Sequence, residues 1–315
     1  MRAGVIYKYG KPEVIEVKEV KEPQLIPDGV LIKVFASSVN PIDCKIRKGM
    51  LKKHSKTDLP LILGYDVAGE VIAIGCNVKK FIPGDYIYGR LDSNSGGAYA
   101  QLAIAFESTI AKKPENISFY EAAAMPFAAL TAIQALRDYA ELKPGQQILI
   151  NGASGGVGHF AIQLAKASGA IVTAVCSSRH SDLIEELKPD KFIDYTQTDF
   201  TKHNQKYDVI FDVIGNKNFL QCVPLLNKNG RYITTQSSKG SFMYSVVSTL
   251  TPGKHLKVVK VQSSSKDLDI LSQMVKENKL SVFVDTVFPL EALSQAHYYA
   301  ENNHPNGKIA IDIGQ

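Results

Sequence analysis

Residues 151–158 read Asn-Gly-Ala-Ser-Gly-Gly-Val-Gly, a composition that lets backbone approach a phosphate closely. A strand pattern over 147–150 precedes the run, and residues 159–166 follow it with apolar side chains at helical spacing. A strand, a glycine turn and a helix start are what a dinucleotide pyrophosphate needs. Gly155 admits the phosphates, Gly158 lets helix pack closely on strand, and the first N–H groups of the helix attract the anion. Ser154, Gly155, Gly156, Val157 and Gly158 are therefore the expected cofactor contacts. The general pattern G-x-G-x-x-G has Ala153 in its first glycine place here. An ordinary glycine-rich turn is the plain alternative.

The end of the next strand bears on which dinucleotide. An NAD site puts an acid there for the ribose 2′-hydroxyl, whereas this chain reads Cys176-Ser177-Ser178-Arg179-His180 with no acid before Asp182. Small hydroxyls beside a permanent guanidinium suit a 2′-phosphate. Ser177 and Arg179 thus point to NADPH, against a solvated arginine at a helix start.

The elements that must carry these residues come in two textures. Over the first 120 residues the alternation at 14–20 and the apolar run at 30–36 read as strands, as do 67–74, 86–88 and 99–105, with turn signals between them. Many short strands argue for a compact, partly closed sheet. Ser118-Phe119-Tyr120-Glu121 is a capping-box pattern opening an alanine-rich helix, and 130–136 continue as another. Strand and helix then alternate: strands at 171–176, 191–195, 207–213, 230–235 and 256–261, helices at 181–187, 219–226 and 267–277. Such repeats imply an α/β fold with a doubly wound parallel sheet. Strands at 282–288 and 308–313, enclosing a helix at 290–301, return to the first texture. The tail is expected to fold back, so that residues 1–122 and 282–315 form one domain and 123–281 the nucleotide domain.

Composition narrows the function classes. The chain has 315 residues, 45% of them hydrophobic, and a net charge of +5 with basic residues scattered among acids. No arginine-rich or aromatic-interleaved patch argues for nucleic acid. No long apolar stretch argues for a membrane span or a leader, which points to a soluble, cytoplasmic protein. Cys44, Cys76, Cys176 and Cys222 lie far apart with no C-x-x-C pair, so four free thiols are expected rather than a disulfide frame or a structural zinc site.

Taken in order, residues 36–43, 64–71, Gly84-Asp85, 96–100, 130–132, the glycine loop and Gly307-Lys308 resemble the quinone oxidoreductase branch of the medium-chain dehydrogenase/reductase superfamily. Within it they look most like the enone and alkenal reductases and the chloroplast-envelope quinone oxidoreductase homologue. The resemblance implies a β-rich GroES-like catalytic domain, a Rossmann domain, NADPH and a homodimer. Zinc enzymes of the superfamily have a ligand Cys where this chain has Asn40, and Gly-His-Glu where it has Gly64-Tyr65-Asp66. No metal is therefore expected.

By position in that family, the acceptor's carbonyl oxygen would meet Lys45 or Tyr65, with Asn40 on the nicotinamide side of the cleft. Lys45 departs from the tyrosine common in the branch. Thr131 resembles the family's threonine near the nicotinamide, and Tyr195 the tyrosine at the adenosine phosphate. The alternatives are an inert surface lysine, a packing tyrosine at 65, a helix-interior threonine and a core tyrosine at 195. Hydride transfer to a quinone or an α,β-unsaturated carbonyl follows as the expected reaction, of EC 1.6.5 or 1.3.1 type. An NADPH-binding regulatory or structural protein is the rival, and an alcohol dehydrogenase is disfavoured by the lost ligands. The acceptor pocket is expected to draw on residues 50–58, 92–95 and 242–249.

Overall fold

Val30, Ile32, Val34 and Ala36 are all buried on the strand β3 (Gly29–Val39), the period of two that a sheet with one face in the core demands. The structure is a computed structural model describing residues 1–51, 59–92, 96–236 and 253–314. It divides into two units, Met1–Leu130 with Ser263–Gln315, and Thr131–Gln262.

In the first unit, β1 (Arg2–Ile6), β2 (Ile15–Glu19) and β4 (Leu61–Ile62) form a three-stranded sheet. A seven-stranded sheet joins β3 to β5 (Asp66–Ile74), β6 (Tyr86–Arg90), β7 (Leu102–Phe106), β8 (Ile110–Lys112), β15 (Val284–Pro289) and β16 (Lys308–Asp312). Its order is β15-β16-β3-β5-β6-β8, with β7 also paired to β3. The C-terminal strand therefore lies beside β3, in register Ile309↔Val39. Helices α1 (Pro41–Arg47), α2 (Phe119–Ala124) and, towards the C-terminus, α8 (Leu293–Asn302) belong to the same unit. The capping box at Ser118 is formed, its Oγ accepting from the Glu121 N–H at 3.2 Å. A further helix, α3 (Pro126–Gln134), contains the boundary between the units.

The second unit is the α/β part. Strands β9 (Gln147–Asn151), β10 (Ile171–Cys176), β11 (Lys191–Asp194), β12 (Tyr207–Asp212), β13 (Leu226–Thr234) and β14 (His255–Val258) are all parallel, in the order β11-β10-β9-β12-β13-β14. The chain winds outward in one direction from β9, then returns to β12 and winds in the other. Helices α4 (Gly158–Ala167), α5 (Ser181–Leu187) and α6 (Phe219–Cys222) connect the strands. In such sheets the crevice at the switch point, here between β9 and β12, is where a dinucleotide sits. The glycine loop leaves β9 at that place.

Several elements differ from the sequence reading. The helix expected over 219–226 ends at Cys222, because Pro224 imposes a tighter turn and β13 already begins at Leu226. The helix expected from 267 is α7 (Ser265–Lys276), which lies in the first unit rather than with the nucleotide-binding strands. Tyr88 donates its hydroxyl to the Leu268 carbonyl at 2.7 Å, and Asn116 donates to the Val275 carbonyl at 3.0 Å, tying α7 to that unit. Strand β1 and helix α1 were not foreseen.

The glycine loop supplies a stability test. Gly152 has φ +87°, and a Cβ on Gly158 would meet the Gly152 carbonyl oxygen at 2.1 Å. A Cβ on Gly155 would meet only that same oxygen, at 3.6 Å. Gly158→Ala should cost about 3 kcal/mol, because backbone cannot yield as a side-chain tip would. Gly155→Ala should leave the urea midpoint close to wild type. Equal stability of the two variants would contradict this packing.

Candidate functional site

Asn40 closes β3 in an extended conformation, and Pro41 presets the first helical turn of α1. The Asp43 carboxylate accepts the Asn40 backbone N–H at 2.8 Å. The helix start is thus served by Asp43, and the Asn40 side chain is spent on tertiary contacts. Its Nδ2 donates to Asp66 Oδ2 at 2.8 Å, and its Oδ1 accepts from Lys308 Nζ at 2.6 Å. Lys308 also donates to the Val39 carbonyl at 3.0 Å and stands 3.6 Å from Asp66 Oδ2. Ser38 Oγ and the Phe127 N–H complete Asp66, at 2.6 and 2.8 Å. Three strands bring the group together: β3 ends one residue before Asn40, β5 opens on Asp66 opposite Ser38, and β16 opens on Lys308.

Asp66 and Asp43 are fully buried, and Lys308 is 4% exposed. Charges so far from water persist only when paired and hydrogen-bonded. Burial lowers the Lys308 ammonium from the ordinary lysine value, opposed by Asp66 and Asp43. Burial also pushes the Asp43 carboxyl up to about 7, with the Asn40 N–H working against the shift and Asp66 adding to it.

Tyr65 immediately precedes β5 and is 6% exposed. Its ring meets Phe127 edge-on at 6.0 Å, and the Arg90 guanidinium lies 5.3 Å and 5.0 Å from the two ring centres. Burial pushes the Tyr65 phenol up to about 12, so it remains a hydrogen-bond donor at neutral pH. Asn40 and Tyr65 are thereby brought to one place through Asp66 and Phe127. Lys45 stands half-buried within α1, where burial lowers its ammonium from the usual lysine value.

The other expected residues belong to the second unit. The Gly152 and Ala153 N–H groups donate to the Val175 carbonyl at 3.0 and 3.1 Å, docking the glycine loop on the end of β10. Ser154 is buried, while Gly155, Gly156 and Val157 are half-buried. Just beyond β10, Ser177 Oγ accepts the Arg179 N–H at 3.4 Å, and the exposed Arg179 donates from Nε to His180 at 3.0 Å. Tyr195 is half exposed, and its N–H donates to the Cys176 carbonyl at 3.2 Å, so Ser177, Arg179 and Tyr195 share one sheet edge. Thr131 is buried within α3.

Beside Tyr195 is a residue the sequence reading missed. Asp194 ends β11 opposite Cys176, and its carboxylate is held below the usual range by hydrogen bonds from Thr196, then from Ser178. An acid is therefore hydrogen-bonded to Ser178, the residue before the arginine expected to bind phosphate. Its signal was the position itself, the last residue of a strand neighbouring β10.

Residues 26–115 match the alcohol dehydrogenase GroES-like domain, and residues 187–311 match the zinc-binding dehydrogenase family. The chloroplast envelope quinone oxidoreductase homolog of Arabidopsis thaliana is 34% identical over 308 residues, 95% of this chain and 94% of that protein. The chain belongs to the quinone oxidoreductase branch of the medium-chain dehydrogenase/reductase superfamily. The NADPH-dependent alkenal/one oxidoreductase of the same plant's chloroplast is 32% identical, covering 99% of this chain and 79% of that one. The solved quinone oxidoreductase of Coxiella burnetii superposes with a TM-score of 0.92 at 32% identity, covering 100% of this chain and 99% of that one.

Membership in this superfamily makes the protein an oxidoreductase with a nicotinamide cofactor, and the glycine loop fits one. The place a Gly155 side chain would take is open, so backbone can reach a pyrophosphate there. One of the two matching families is named for zinc. Asn40 is hydrogen-bonded to an ammonium, Tyr65 is a buried phenol, and no three His, Cys, Asp or Glu among the described residues group to hold a metal. Among the described residues no helix is long and apolar enough to cross a membrane. Of the segments expected to shape the acceptor pocket, residues 52–58, 93–95 and 242–249 lie outside the described residues.

Asp66 and Lys308 entered the sequence reading only as parts of matching motifs; no local pattern announces a pairing 242 residues apart, a separation set by 308 − 66 in the numbering. Asp43 could have been found, since Asn-Pro-x-Asp is a cap, a first-turn proline and an acid at the third helical position. A carboxyl with a folded pKa near 7 and an ordinary value of 3.8 binds its proton more tightly when folded. Its contribution is fully present at low pH and declines as pH rises from about 4 to about 7. Asp43→Asn should remove that decline, so that urea midpoints of the variant rise relative to wild type between pH 4 and pH 7. A constant difference across the range would contradict the raised value.

Proposed function

We propose that the protein is an NADPH-dependent reductase of quinones or α,β-unsaturated carbonyls that works without zinc. The observation that carries this reading is the group formed by Asn40, Asp66 and Lys308. A neutral amide and a buried phenol, Asn40 and Tyr65, stand where a metal-dependent relative needs thiolate and imidazole donors, and the amide is held by the internal ammonium of Lys308 and the carboxylate of Asp66.

The cofactor, when bound, supplies a hydride, which a conjugated alkene or a quinone accepts while negative charge develops on its oxygen. The chain's own residues do the rest. Tyr65, kept protonated by burial, donates a hydrogen bond to that oxygen. Lys45 is a second donor, and its lowered value makes its proton easier to release. Asn40 is assigned to the nicotinamide and Thr131 to the same end of the cofactor. Ser154 with residues 155–158 is assigned to the pyrophosphate, and Ser177, Arg179 and Tyr195 to the 2′-phosphate side of the adenosine. A proton from water completes the reduction, at the α-carbon of an enone or at the oxygen of the hydroquinone anion. The names of the relatives, a quinone oxidoreductase homolog and an alkenal/one oxidoreductase, support both acceptor classes.

NADPH oxidation against a panel of quinones and enones tests the reaction. Tight NADPH binding with no turnover of either class would leave a regulatory or structural protein instead. Cofactor choice has its own test, because Arg179 and Asp194 act oppositely on a phosphate. Arg179→Ala should weaken NADPH binding by on the order of tenfold or more, and NADH binding far less, as expected for loss of a charge-assisted contact. Equal weakening of both in a fluorescence titration would remove the 2′-phosphate assignment.

A further inference from the structure

Asn40 has a primary amide, which offers two donors on one side and an acceptor on the other, and a rotation of 180° about its last bond exchanges them. Here the two neighbours forbid that exchange. Oδ1 lies 2.6 Å from the Lys308 ammonium and Nδ2 lies 2.8 Å from the Asp66 carboxylate. A flipped amide would set N–H against ammonium and oxygen against carboxylate, two repulsive contacts out of water. The lysine is itself fixed, since its Nζ also donates to the Val39 carbonyl, in the backbone that leads into Asn40. Its contact with the amide, at 2.6 Å, is shorter than its 3.6 Å approach to Asp66 Oδ2. Charge balance alone would favour the reverse.

We propose that Lys308 is a positioning residue that acts through Asn40. It locks the amide in one orientation and so directs the second Nδ2–H, which has no other partner among the described residues. An amide whose oxygen accepts from an ammonium is also a stronger N–H donor. The fold delivers this lysine by the strand β16, whose pairing with β3 puts Ile309 opposite Val39. The inference rests on the proposed reading that Asn40 serves the nicotinamide.

A double-mutant cycle tests it, using Lys308→Met, Asn40→Ala and the combination in the full chain. The readouts are kcat at saturating NADPH with the quinone or enone that wild type reduces, and the thermal midpoint measured separately. Lys308→Met and Asn40→Ala should each lower kcat by on the order of 10²-fold, the scale of a misplaced contact at a reacting centre. In the Asn40→Ala background Lys308→Met should change kcat by less than about twofold, because two residues acting through one contact do not add.

Wild-type kcat in Lys308→Met, with only a lower thermal midpoint, would overturn the proposal and leave a purely structural lysine. A loss that persists in full in the Asn40→Ala background would overturn it as well. Should Lys308→Met fail to fold, Lys308→Arg enters the same cycle with the same two outcomes. Failure of the underlying reading looks different: a wild-type chain that reduces neither class sinks the functional assignment itself, an Asn40→Ala variant with normal kcat sinks the assignment of Asn40 to the nicotinamide, and this inference falls with either.

Discussion

Two carboxyls and one ammonium are held out of water around Asn40, and the chain has to satisfy them from its own atoms. Each buried ion costs several kcal/mol to desolvate, so the pair of Asp66 and Lys308 survives only if its partners arrive in place, while burial pushes the Asp43 carboxyl up to about 7. Ser38, Asn40 and the Phe127 N–H answer Asp66, the Asn40 N–H answers Asp43, and Val39 with Asn40 answers Lys308. The lysine comes from the last strand of the protein. The first unit is therefore closed by its C-terminal segment, and the parallel-sheet unit interrupts it in sequence.

The same requirement sets the character of the site. A family member that binds zinc at this place would bring a compact positive charge to the reacting oxygen. Here the internal positive charge is an ammonium bound to Asn40 and Val39, and in the proposed reading the groups that meet an acceptor are a phenol kept neutral by burial and a partly buried lysine. Such donors suit an oxygen that becomes negative only as hydride arrives at carbon two bonds or more away. They suit far less well the direct oxidation of an alcohol, which asks for a strong Lewis acid. The acceptor classes proposed above follow from that difference.

Much of this was legible in the residues. The apolar run at 30–36 and the strand, glycine turn and helix of 147–166 each correspond to an element that the structure contains, because local pattern and turn chemistry were decisive there. The segment 181–187 is a helix as read. Apart from helix α1, whose Asn-Pro-x-Asp start is a local signal, the main misses had non-local causes. The helix α7 has an ordinary amphipathic pattern, and nothing in it says that Tyr88 and Asn116 will hold it to the β-rich unit. Lys308 looked like a strand residue beside a glycine, and its meaning depends on a neighbour far away in sequence. Asp194 lies on a different strand from the one whose end carries a ribose-binding acid in sequence, and only the sheet places the end of β11 beside the end of β10.

The central claim is hydride transfer without a metal, and it is tested most directly by measuring zinc content and NADPH oxidation on one sample, before and after chelation, with the best acceptor of the panel. The account predicts turnover at zinc far below stoichiometric, unchanged by the chelator and not raised when zinc is added back. Activity that disappears on chelation and returns with zinc would contradict it.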